Sequence, residues 1–265
     1  MSAQNKAGVP SLRQTTILAL AAALAVIGVL SVALPYGSVA AEMLLDHHEH
    51  SVFPYPFTIQ NVTYLIFAAG MADLYDRWRT AIHERAFLKQ RLLPEDDAAV
   101  LQISDLGPIR RRVLSLYDAD NGFLPYLIDI SITQLQASRS VDQAVAILTS
   151  SLDLLMHKLD LRYQNVRYIS WLIPTIGFIG TVVGTAVALE LINPQNPDLG
   201  QVTGAMAVAF YTTLVALIIS AIIVFFQHGV QKAEESALNA AGQYCLKNLI
   251  NRIYIPTVSL KEEQQ

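Results

Sequence analysis

The sequence predicts an all-α membrane protein with four transmembrane helices and a helical cytoplasmic domain. Three observations carry that prediction. Of 265 residues, 53% are apolar and only 15% are charged, whereas a soluble domain usually has about 25% charged residues. Apolar runs at 17–34, 168–192 and 202–226 approach or exceed the ~20 residues that a bilayer core requires. Lysines and arginines are absent from the segments that four spans would place outside, as the positive-inside rule demands.

Residues 1–15 read as a cytoplasmic amino terminus bearing Lys6 and Arg13. The first span, 16–36, follows that basic pair and precedes "GSVAAE", a layout shared with signal peptides. Its apolar run of about 18 residues is long for a signal core and long enough to cross a bilayer, so it reads as a membrane helix. The external loop 37–57 contains Glu42, Asp46 and Glu49 but no lysine or arginine. The second span, 58–75, is the weakest. Its heart, "VTYLIFAAGMA", is short and flanked by Gln60, Asn61 and Asp73, and alone it reads equally well as a re-entrant or interfacial segment. Charge decides the matter: Arg77, Arg79, Arg85, Lys89 and Arg91 follow it. Four spans keep both basic groups and both termini in the cytoplasm, whereas three would strand one basic group outside.

The cytoplasmic domain, 76–167, reads as helical. Ser140 followed by Gln143 forms a capping-box pattern. From there Val141, Val145, Leu148, Leu152, Leu155, Leu159 and Val166 recur at helical spacing, an amphipathic stripe. No breaker intervenes before Pro174, which reads as a kink, so one helix is expected to run from the cytoplasmic domain into the third span, 168–192. The external loop 193–200 turns at Pro194 and Pro197. The fourth span, 201–227, leads into a cytoplasmic C-terminal helix within 228–265, "QKAEESALNAAGQYCLKNLINRIY".

Chemistry concentrates in the last two spans. In "GFIGTVVGT", Gly177, Thr181, Gly184 and Ala188 share one helix side, and Gly180 with Gly184 makes a GxxxG. On the fourth span Ala205, Ala209, Thr212 or Thr213, Ala216 and Ser220 form a second small face. Close helix packing explains small residues by itself, because apolar burial does not drive association in lipid. Depth adds something: Thr181 lies about eleven residues from each end of its span, and Thr213 about twelve and fourteen from Gln201 and Gln227. Threonines on two small faces at one depth suggest a polar seam suited to an ion. The acid that ordinarily carries an ion is missing. Glu190, a possible point of ion access, sits at the outer end of the third span, and Asp73 at the inner end of the second. If ions cross here, the carboxylate must come from another chain.

"IPTIGFIGTVVGT" followed by "AMAVAFYTTLVALIISAII" resembles the MotA/TolQ/ExbB family of ion-driven motor subunits, over roughly residues 58–235. Four spans make the topology closer to MotA. The resemblance implies a homo-pentamer around two copies of a single-span partner of the MotB/TolR/ExbD type, whose membrane Asp binds the ion. It implies that Thr181, Thr212 and Thr213 line the ion pathway. Pro174, Gly177, Gly180, Gly184, Ala188, Ala205, Ala209, Ala216 and Ser220 would then pack against the partner's helix. It further implies a bacterial inner (cytoplasmic) membrane, transported H+ or Na+ rather than a cofactor, and a cytoplasmic or envelope effector. Two features depart from relatives: Val208, with the apolar Ala207 beside it, stands where ExbB and TolQ keep a glutamate, and Thr212-Thr213 resembles the double threonine of sodium-driven stators.

Other features have plainer readings. "DHHEHS", 46–51, offers imidazoles to a metal, but a solvated loop is the simpler account. "DADNGF", 118–123, lacks calcium-loop spacing and reads as a turn. Arg110, Arg111 and Arg112 offer a patch to an effector or to anionic lipid. The single Cys245 excludes an intramolecular disulfide and a cysteine metal cluster. A net charge of −4 gives no nucleic-acid signal, and no nucleophile–base pair or phosphate loop points to an enzyme. The competing readings are a non-conducting membrane scaffold and a secondary transporter.

Overall fold

The computed structural model describes residues 12–47, 51, 53–96, 100–116, 122–192 and 199–254. Of these, 85% are helical, with no strands. The helices are α1 (Leu12–Ala33), α2 (Val39–Leu45), α3 (Ile59–Leu88), α4 (Ile103–Leu116), α5 (Phe123–Ser138), α6 (Val141–Glu190) and α7 (Leu199–Asn248). A 3-10 turn, Ile250–Arg252, follows. The chain divides into two compact units, Met1–Arg77 with Tyr163–Val230 and Trp78–Arg162 with Gln231–Gln265.

Three helices are long and apolar enough to cross a membrane: Arg13–Ala33, Val141–Glu190 and Leu199–Arg252. The helix α3, expected as a fourth span, is not among them. Gln60, Asn61, Asp73, Asp76 and Arg77 dilute its apolar centre.

In the first unit α3 is nonetheless seated among the apolar helices. A Cβ added to Gly70 would lie 2.6 Å from Ile223 Cδ1 and 3.0 Å from Ile169 Cγ2. Eleven residues earlier, Ile59 Cδ1 lies 3.2 Å from the Cβ position of Gly180, where Thr212 is also met. These two levels fix the register: α3 runs parallel to α7 and antiparallel to α6. They also show where α3 stops. It begins level with Gly180 and Thr212, whereas α6 continues ten residues further to Glu190, about 15 Å at 1.5 Å per residue. Pro54 and Pro56, just before Thr58, disfavour helix in the preceding residues. Thr58 then caps α3, accepting from Asn61 N at 3.3 Å while its hydroxyl donates to Leu45 O at 3.0 Å. On the flank, Thr15 of α1 bonds Asp76 and Ser31 bonds Tyr55. At the inner end, Asp73 holds Arg77 Nη2 through both oxygens, at 3.0 and 2.9 Å, and the guanidinium lies 4.7 Å from the Tyr163 ring centroid.

The second unit has an ordinary hydrophobic core. Leu124, Leu127, Ile128, Ile132 and Leu135 of α5 are fully buried among Leu148, Leu238, Ala241, Cys245 and Leu249. Gly242 admits the Leu152 side chain, which a Cβ would meet at 2.7 Å. The start of α5 is capped from a distance. Gly122 has no side chain to offer, and Phe123 N donates to Glu84 Oε2 of α3 at 2.9 Å. Glu84 is 7% exposed. Burial, against the opposing effect of that hydrogen bond, pushes its carboxyl up to about 7, with Glu234 adding to the rise and Arg162 reducing it. Arg162 meets Glu234 at 3.3 Å. Burial likewise raises the Cys245 thiol.

Two local expectations change. Ser140 accepts from Gln143 N at 3.4 Å, but the Gln143 side chain accepts from Gln134 at 3.1 Å instead of returning to the cap; half of the capping box forms. Val145, placed on the buried stripe of α6, is exposed, and Ala144 takes its position. Residues 144 and 145 lie on opposite sides of Leu148 around a 3.6-residue helix, and the buried stripe takes the nearer one, following 144, 148, 159, 163 and 166. The expected helix through Pro174 is present without interruption, from Val141 to Glu190.

A candidate ion seam between two membrane helices

The seam is built by small residues. At Gly177, Gly180 and Gly184 an added Cβ would meet Ala216 Cβ at 2.5 Å, Thr212 Oγ1 at 2.5 Å and Ala209 Cβ at 2.7 Å. These three contacts descend one face of α6 against one face of α7, so the helices approach closely enough for side chains on one to reach the backbone of the other. Ala188, Ala205, Ala209 and Ala216 are all buried along the same face. Of the residues expected against a partner's helix, Gly177, Gly180, Gly184, Ala188, Ala205, Ala209 and Ala216 are buried within the chain, because the two small faces fit each other.

Pro174 and Ser220 are joined by a different logic. Proline has no N–H, so the carbonyl four residues earlier loses its helical donor. That carbonyl belongs to Ser170, and Ser220 Oγ of α7 donates to it at 3.2 Å. The Ser170 hydroxyl donates to Val166 O, and also lies 2.9 Å from Gln227 Oε1. The break left by Pro174 is thus mended by the neighbouring helix.

At the centre, Thr181 and Thr213 contact each other directly. Thr181 Oγ1 donates to Ala209 O at 3.0 Å and Thr213 Oγ1 donates to Gly177 O at 2.8 Å. The exchange is reciprocal: each hydroxyl reaches the carbonyl one turn before the other threonine. Thr212 adds a bond to Ala209 O at 2.8 Å and a longer one to Gly177 O at 3.4 Å. Three hydroxyl hydrogens therefore serve five contacts. When they go to carbonyls, the Thr181 and Thr213 oxygens face one another with lone pairs only. Such a pair accepts from an outside donor, a protonated carboxyl, or ligates a monovalent cation.

All three threonines of the expected ion pathway come together. Thr212 is buried, while Thr181 and Thr213 are half-buried and remain reachable at the edge of the seam, beside the exposed Phe178, Val182 and Phe210. Glu190 is exposed at the end of α6, away from the trio. Asp73 belongs to the Arg77 pair. Val208 is buried, an apolar wall one turn from Thr212. The mending of Pro174 by Ser220 escapes sequence reading; its one signal is that a proline in a membrane helix must leave a carbonyl for some hydroxyl to take. Among the described residues no group of three or more His, Cys, Asp or Glu side chains could hold a metal ion. His48, Glu49 and His50 lie outside the described residues, as do 118–121 and the turn at Pro194 and Pro197.

Residues 125–240, which include Thr181, Thr212 and Thr213, match the model of the MotA/TolQ/ExbB proton channel family. In comparisons with curated proteins and with solved structures, nothing matches the chain.

Proposed function

Because residues 125–240 match the model of the MotA/TolQ/ExbB proton channel family, we propose an ion-driven, stator-like motor subunit that works with a partner bearing a membrane carboxylate. The observation that carries this reading is the reciprocal hydroxyl pair at mid-span in a seam with no acid of its own. The partner is of the MotB/TolR/ExbD class, two copies within five of this chain, and its Asp exchanges a proton or sodium ion beside Thr181 and Thr213. The family match and the three long apolar helices support a membrane-embedded protein of channel type. The finer topology is part of the proposal: four spans in the inner membrane, α3 included, with both termini cytoplasmic.

The energetics fit that assignment. The transmembrane potential supplies about 2.3 kcal/mol per charge per 100 mV, and a carboxylate collects it only by alternating between ionised and neutral settings. Hydroxyl lone pairs favour the protonated acid, and the exposed apolar Phe178, Val182 and Phe210 beside them disfavour its charge. The Arg110–Arg112 surface is offered to an effector or anionic lipid; Arg110 is already paired with Asp129 at 2.6 Å, which leaves the exposed Arg111 and Arg112 for that role.

The deciding experiment is Thr213→Val in the purified complex. Valine keeps the volume and removes the oxygen, so ion flux should vanish while the oligomer survives. Flux at the wild-type rate sinks the proposal, and an oligomer that falls apart supports the scaffold reading. Co-purification should also yield a single-span chain with a central Asp or Glu, and a symmetric assembly without one counts against the motor.

A further inference from the structure

We propose that the first turn of α3 holds bound water level with the threonine seam, with Gln60 as its anchoring residue, and that protons reach the seam through this water. This rests on the motor reading above. Gln60 is 1% exposed, and among the described residues neither its Nε2 nor its Oε1 has a hydrogen-bond partner. The neighbouring Asn61 is 3% exposed; its Nδ2 donates to Pro56 O at 2.9 Å, while its Oδ1 is unpartnered. Further out, His47 Nδ1 is also buried without a partner, its ring stacked on Tyr55 at 4.3 Å. Other polar groups nearby are spoken for: Thr58 on Leu45 O, Thr63 on Ile59 O and Tyr64 on Leu44 O.

Position gives these groups their meaning. Ile59, adjacent to Gln60, touches the Gly180 site where Thr212 is met. The orphaned carboxamide thus sits at seam depth, where lipid offers no hydrogen bonds. The chemistry of the orphans selects the ligand. They include a donor, Gln60 Nε2, and acceptors, Gln60 Oε1 and Asn61 Oδ1. A bare cation satisfies acceptors only and leaves Nε2 unpaired, and the positive end of the α3 dipole also disfavours it. Water satisfies both kinds, and a buried water with two to four polar partners is a normal structural component. Water there passes a proton along its hydrogen bonds, so Gln60 is a positioning residue that acts on the seam through the water it holds.

Two readouts test this in the complex. Gln60→Met keeps the length and removes both polar atoms, whereas Gln60→Ser keeps a hydroxyl and leaves room for water. Proton flux should fall at least tenfold in Gln60→Met and stay within twofold of wild type in Gln60→Ser. Flux in Gln60→Met within twofold of wild type, with Thr213→Val inactive, overturns the water site and leaves the motor reading standing. Loss in both Gln60 variants overturns it as well, since a structural role for the amide then suffices. If Thr213→Val conducts normally, the motor reading fails, and hydroxyl-radical footprinting decides the water site without any activity. Tyr64, one turn from Gln60, should be modified in wild type and at least fivefold less in Gln60→Met; equal modification overturns the proposal.

Discussion

Single side chains in this protein fall into two groups, those that fill contacts and those that complete hydrogen bonds elsewhere in the chain. Gly184 belongs to the first. Its added Cβ would meet Ala209 Cβ at 2.7 Å and Ala209 Cα at 3.1 Å, so part of the obstacle is backbone. Gly184→Val should force α6 and α7 apart and lower the melting temperature, by an overpacking cost of about 1–3 kcal/mol. Gly204 is the control, since nothing lies within 4 Å of its Cβ position; Gly204→Ala should be neutral or gain up to about 1 kcal/mol of helix propensity. Glu84 belongs to the second group. Its carboxyl is raised from 4.5 to about 7, so the folded state binds its proton more tightly than the unfolded chain does. Its contribution to stability is therefore greatest below about pH 4.5 and is lost as pH rises through about 7. Melting curves between pH 5 and 8 should fall with pH in wild type, by a few kcal/mol at most. They should flatten in Glu84→Gln, whose amide oxygen still accepts from Phe123 N. The glycines and threonines were conspicuous in the sequence, but the helix that covers them was not. A small face fits a partner and a neighbour equally well, and only the α6–α7 register decides. The Glu84 cap was hidden, because nothing local links residues 39 positions apart.

At the scale of the element, the long helices were legible and the short ones were not. The stretch from Ser140 to Glu190 has a cap, a stripe and no effective breaker, and one helix results. Pro174 is tolerated because Ser220 takes the carbonyl it frees. Ser220→Ala should leave that carbonyl without a hydroxyl donor and cost about 0.5–1.5 kcal/mol. Pro174→Ala restores the backbone N–H and should make the Ser220 change nearly silent, a coupling readable from the double-mutant cycle in melting temperature. For α3, the second span expected from residue 58 begins in the structure at Ile59. That this start lies at the depth of Gly180 and Thr212 required the contact of Ile59, for which no periodicity gives a signal.

For the molecule as a whole, composition and charge distribution announced a membrane protein, and three helices meet the length and hydropathy that this requires. The fourth span rests on the arginines after α3 and is open to a direct check. An impermeant maleimide on intact cells should label Pro54→Cys and spare Lys89→Cys, both exposed positions; the native Cys245 is buried and should stay silent. The opposite pattern overturns the four-span topology. Assembly state and partner were beyond the residues, because the acid that would complete the seam is not in this chain. The shortage of hydrogens among Thr181, Thr212 and Thr213 has one last consequence. Five contacts shared by three hydrogens admit several arrangements that interchange when a hydroxyl turns, a motion of picoseconds to nanoseconds where a side chain is free. No helix need shift for this. A charge arriving beside the seam would meet dipoles that reorient as a solvent does while their oxygens stay anchored, a fragment of liquid behaviour held inside a solid contact.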